Sequence, residues 1–112
     1  MSAITTHVLD TSTGRPASGV SVTLERQAGS GWQSAGQSIT NQDGRISDLL
    51  AGSALAVGTY RITFDTASYF RSRKLPAFYP QVHVIFTVED ATQHYHVPLL
   101  LSPYGYSTYR GS

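Results

Sequence analysis

HYHVPLLLSPYGYSTYRGS, His94 to Ser112, decides how this chain is read. Side chains alternate between the faces of a strand. As a strand, His94 to Leu101 places Tyr95, Val97, Leu99 and Leu101 on one apolar face, which predicts core. His94, His96, Pro98 and Leu100 take the other face. A proline has no N–H for a ladder, so Pro98 suggests an edge strand or a bulge. Ser102–Pro103 reads as a turn, and Tyr104 to Tyr109 as a second strand rich in β-formers. The sequence ends on Tyr109, Arg110, Gly111 and Ser112.

Working outward, the same alternation recurs. Ile4 to Leu9 places Ile4, Thr6 and Val8 opposite Thr5, His7 and Leu9. Val20 to Arg26, Gly58 to Thr66 and Val82 to Val88 alternate in the same way, and Trp32 starts a return strand towards Thr40. Asp10 to Ala17, Ala28 to Gly31 and Asn41 to Gly44 carry turn chemistry. Ile46 to Gly58 fits either a short strand or a loop. Ala67 to Lys74 is the one helix candidate, with Tyr69 and Phe70 facing the core and Thr66 as a candidate N-cap. Short strands at close spacing with one short helix predict an all-β sandwich.

Composition narrows the function. The chain has 112 residues, which predicts a single domain over 1–112. Its net charge of +1 suggests neither a nucleic acid nor a membrane surface as partner. No window approaches the ~18 apolar residues of a membrane span. The start, MSAITTHVLD, shows no leader peptide. The expectation is a cytoplasmic protein, or a periplasmic one if a leader has been removed. With no cysteine, disulfides, thiolate zinc sites and a cysteine nucleophile are excluded.

His7, Arg45, His96 and the last four residues stand out as candidates for chemistry. Taken singly each has an ordinary explanation. A strand histidine is usually silent, an arginine after an Asp-Gly turn is usually a solvated charge, and His94 with His96 could be a polar sheet face.

The ending Tyr109-Arg110-Gly111-Ser112 resembles the C-terminal signature of the 5-hydroxyisourate hydrolases, the transthyretin-like enzymes of urate breakdown. Leu100 to Thr108 (LLSPYGYST) is similar in transthyretin itself. His7-Val-Leu-Asp10, Asp43-Gly44-Arg45, and His96 before Val-Pro-Leu-Leu match further family motifs. The resemblance implies a transthyretin-like (prealbumin-like) β-sandwich of two four-stranded sheets, with one short helix after the fifth strand. It implies hydrolysis of 5-hydroxyisourate to 2-oxo-4-hydroxy-4-carboxy-5-ureidoimidazoline, without metal or cofactor. It implies a homotetramer, a dimer of dimers with sites in a channel between dimers.

The implied catalytic residues are His7, Arg45, His96 and Ser112, and the implied substrate-binding residues are His7, Arg45, Tyr109 and Arg110. His83 and His94 match no catalytic position; His94 shares a face with His96 and is the weaker candidate. The chemistry fits these types. A histidine titrates near neutral pH and can activate water, and a guanidinium can hold a planar polar ring and a developing oxyanion. Tyr109 can bond substrate through its hydroxyl, and the Ser112 carboxylate can pair with a cation or orient a histidine. Rival readings are a carrier of a small hydrophobic ligand, a zinc site built on His94-x-His96, and a structural domain without chemistry.

Overall fold

The computed structural model describes residues 3–112; Met1 and Ser2, the head of the stretch read for a leader, lie outside the described residues. Among the described residues nine strands and one helix run β1 (Ile4–Asp10), β2 (Arg15–Pro16), β3 (Ser21–Ala28), β4 (Gly31–Ile39), β5 (Arg45–Ile46), β6 (Gly58–Phe64), α1 (Thr66–Ser72), β7 (Val82–Val88), β8 (Tyr95–Ser102) and β9 (Gly105–Thr108). One sheet has the order β4-β3-β6-β7 and the other β2-β1-β8-β9, with β5 also on β1. The second sheet therefore has five strands rather than four. Its fifth arises because the free edge of β1 is shared by two short strands: Leu9 and Asp10 face β2, while Thr6 and His7 face β5.

The alternation predicts the core correctly. Ile4 and Val8, Val22 and Leu24, Ile62 and Phe64, and Tyr95, Val97, Leu99 and Leu101 are buried between the sheets. β1 and β8 run parallel, with Thr5 opposite His96 and His7 opposite Pro98. Local pattern alone does not reveal this pairing.

Two local expectations are corrected. β8 is an interior strand, between β1 and β9. Pro98 is tolerated there because the ladder to β9 has a gap. Leu99 faces Thr108 and His96 bridges to Gly111, which puts Pro98 opposite the unladdered Tyr109. The Pro98 carbonyl is satisfied instead by the Thr108 hydroxyl, 2.7 Å away. The N-cap of α1 is Asp65, whose carboxylate accepts from the Ser68 amide. Thr66 is the first helical residue and its hydroxyl donates to the Tyr79 carbonyl at 2.6 Å.

The ambiguous stretch after Ile46 resolves into turns. It crosses β4 closely: a Cβ on Gly36 would stand 1.9 Å from the Leu49 carbonyl oxygen, so only glycine fits.

Candidate active site

The turn Asn41–Gly44 aims Arg45 at β1. The Asn41 side chain accepts from the amides of Asp43 and Arg45, and Gly44 adopts φ +72°. A Cβ at Gly44 would lie 2.5 Å from the Val8 carbonyl oxygen, and the Val8 amide donates to the Gly44 carbonyl. Arg45 is thereby fixed in register opposite His7. The parallel pairing of β1 with β8 then brings Thr5 beside His96.

The result is an open cleft of about 230 Å³ lined by Thr5, Thr6, Arg45, Ile46, Ser47, His94, His96 and Ser112. His7 stands at its side, coupled electrostatically to Arg45 and to His96. Both His7 and His96 have pKa values held below the ordinary imidazole value of 6.5. For His7 partial burial comes first and Arg45 second, with the Asp43 backbone and carboxylate pulling weakly the other way. For His96 partial burial again leads, followed by Arg45, His94 and His7. Both shifts favour the neutral form of the ring, the form able to accept a proton.

Three features of the cleft go beyond the sequence reading. Thr5 bonds both neighbouring rings, at 2.8 Å to His94 Nε2 and 2.7 Å to His96 Nδ1. Its place two residues before His7 on one strand face was the available signal. His94 lines the cleft as fully as His96 does, the two rings 6.4 Å apart. Gly111 lies against the His96 ring: its amide donates to the His96 carbonyl at 2.8 Å, and a Cβ there would come 2.5 Å from His96 Cδ2. Any other residue would push the imidazole aside.

Ser112 reaches the cleft, but among the described residues no ion pair joins it to a cation; the one ion pair is Arg61 with Glu25. Tyr109 and Arg110 do not border this cleft within one chain. They border a second, of about 250 Å³, with Val84, Phe86, Tyr95 and Val97. Arg110 is engaged there: its guanidinium lies 4.4 Å from the Tyr95 ring centre and donates to Gln93 Oε1 and the His94 carbonyl. Among the described residues no three His, Cys, Asp or Glu side chains converge as a metal ion would require.

Comparison with known proteins gives the same direction. The profile described as the HIUase/Transthyretin family matches residues 4–111. The chain is 50% identical over 109 residues to a 5-hydroxyisourate hydrolase of Salmonella typhimurium, covering 97% of this chain and 80% of that one. A solved 5-hydroxyisourate hydrolase from Klebsiella pneumoniae is similar with a TM-score of 0.87 and 36% identity, covering 99% of this chain and 100% of the other. Sea bream transthyretin in complex with thyroxine is similar with a TM-score of 0.91 and 28% identity, covering 97% and 94%.

Proposed function

Since the chain belongs to the HIUase/Transthyretin family, we propose that it hydrolyses 5-hydroxyisourate to 2-oxo-4-hydroxy-4-carboxy-5-ureidoimidazoline, in the cleft between β1, β5 and β8. Half of its residues are identical to those of a relative bearing the hydrolase name. The observation that carries the catalytic reading is the placement of His96 in one cleft with Arg45, and of His7 directly across the strand pair from Arg45.

A neutral imidazole takes the proton from water as the water attacks. His96 is the better placed base: its Nδ1 is held by Thr5, and among the described residues its Nε2 makes no hydrogen bond and is left for the cleft. His7 orients the ring or the water from the side. As the carbonyl carbon becomes tetrahedral, charge grows on its oxygen, and Arg45 faces that charge with fixed hydrogen-bond donors. The six-membered ring then opens at the amide-like bond. Ser112 closes one wall of the cleft.

A transthyretin-like carrier is the second reading, favoured by the closeness of the backbone to sea bream transthyretin. The backbone does not separate the two; the side chains do. Apolar walls suit a hydrophobic ligand, whereas this cleft presents two imidazoles, a guanidinium and two threonines.

The open cleft and the two sheet edges at β7 and β9 support assembly. Unpaired edges invite pairing with another copy. Such pairing would make a dimer, and two dimers packed across their open clefts would make the homotetramer, a dimer of dimers.

The test is direct. Urate oxidase generates 5-hydroxyisourate from urate in the cuvette, and its ultraviolet decay is followed with this protein, with buffer, and with His96→Asn. Faster decay with the protein and not with the variant is the expected result. No acceleration would overturn the hydrolase reading in favour of the carrier.

A further inference from the structure

Thr5 is the hub of the cleft, and a hydroxyl has only one proton to give. It cannot donate to both His94 Nε2 and His96 Nδ1. Whenever that hydroxyl donates to one ring, the other contact must run N–H to oxygen, and the two tautomers are then complementary. With Thr5 donating to His94, His96 carries its proton on Nδ1 and leaves Nε2 bare towards the cleft. With Thr5 donating to His96, the arrangement is the mirror of this, and Nε2 of His96 carries the proton. Thr5 is almost fully buried, at 9% exposure, so water does not compete readily for its hydroxyl. His94 is exposed and bonds through its backbone carbonyl to Arg110, which leaves its ring open to solvent.

We propose that His96, Thr5 and His94 form one proton path, along which the proton that His96 takes from the attacking water leaves for solvent. The proposal rests on the hydrolase reading. Water gives a proton to Nε2 of His96 as its oxygen bonds the carbonyl carbon. In concert, the Nδ1 proton of His96 passes to the Thr5 oxygen, and the Thr5 hydroxyl proton passes to Nε2 of His94. One proton has moved from water to His94, and His96 is neutral again, now with its proton on Nε2 and ready to donate to the departing ring nitrogen. The proton on His94 is released to solvent.

The charged and titratable groups around the path favour this direction. Arg45 and His7 both press against a positive charge on His96. Passing the charge to His94 places it on the ring that water reaches. Thr5 and His94 are then positioning residues that act through His96, and they also reset it between turnovers.

Three single variants, one double variant and one spectrum test this. Thr5→Val keeps the shape and removes the hydroxyl; kcat falls roughly 10²-fold, the low end of what assisted proton transfer contributes, with KM little changed. Thr5→Ser recovers most of that loss, which a merely structural role for the methyl would not allow. His94→Asn gives a similar fall, and the double variant with Thr5→Val falls no further, because the two act as one unit. Losses that multiply would overturn the path. The substrate-free measurement is ¹⁵N–¹H correlation of the imidazole nitrogens in the folded protein. His94 and His96 should show complementary tautomers that become mixed in Thr5→Val; tautomers unchanged by the variant would overturn the proposal. If wild-type protein failed to hydrolyse 5-hydroxyisourate, the hydrolase reading would fall, and the spectrum would still decide the path.

Discussion

Strand β8 serves two clefts that share almost nothing chemically. Its even face carries His96, with His94 immediately before the strand, into a polar recess with Arg45 and Thr5. Its odd face carries Tyr95 and Val97 into a groove with Val84, Ile85 and Phe86. The last four residues are divided between them: Tyr109 and Arg110 border the apolar groove, while Gly111 touches His96 and Ser112 lines the polar cleft. A tetrapeptide that reads as one functional unit is thus divided into two consecutive pairs. The first pair secures the start of β8 and the second shapes the cleft.

That contrast can be broken by substitution, one face at a time. The largest effect is expected on the polar face. His96→Asn should lower kcat by ~10² to 10⁴, the range for a lost general base, while leaving the fold intact by circular dichroism. Arg45→Ala should cost ~10² to 10³ in kcat through loss of the oxyanion donor. Gly111→Ala comes next. Its methyl displaces the His96 ring, and a misplacement of about 1 Å can cost up to ~10²-fold. A normal rate in that variant would separate the tetrapeptide from the site altogether. The smallest effect belongs to the apolar groove. Arg110→Ala loses a cation–π contact with Tyr95, worth about 0.5 to 1 kcal/mol at an exposed site. It should lower the thermal midpoint slightly and slow turnover less than Gly111→Ala does. A larger kinetic loss than for Gly111→Ala would return Arg110 to the substrate.

Acid should distinguish the two faces as well. His7 and His96 have folded pKa values below 6.5, so the folded chain binds fewer protons on them than the unfolded chain does. Their contribution to stability is present above pH 6.5 and is lost as the pH falls through the depressed folded values. The acid limb of kcat/KM should likewise lie below 6.5, since protonated rings accept nothing. A limb above 6.5 would contradict the depressed values, and a pH–rate profile of wild type against His7→Asn locates it.

Period-two alternation made most of the fold legible, because each core face is written locally: Val82 to Val88 matches β7 residue for residue. What alternation cannot write is partnership. The parallel pairing of β1 and β8, the use of the β1 edge by both β2 and β5, and the tolerance of Pro98 inside a sheet depend on strands distant in sequence. Site residues follow the same division. Of the candidates, His7, Arg45, His96 and Ser112 carry recognisable motifs; Arg45, His96 and Ser112 line one cleft, with His7 across the strand pair from Arg45. Thr5 is an ordinary β-former in sequence, and only the register beside His96 gives it a role. His94 looked secondary because its motif value is low, although its face was readable.

The bond from Thr5 to His96 spans 91 positions. In a chain emerging from a ribosome, β3, β4 and β6 can pair while β1 still waits for β8 to be made. The cleft cannot exist until β8 has been made, because its walls come from β1 and β8. Joining such distant segments carries a large loop-closure cost and slows folding relative to local pairing. Acquisition of activity during refolding should therefore lag behind formation of the β3–β4 hairpin, and the enzyme would be silent until β1 and β8 have met.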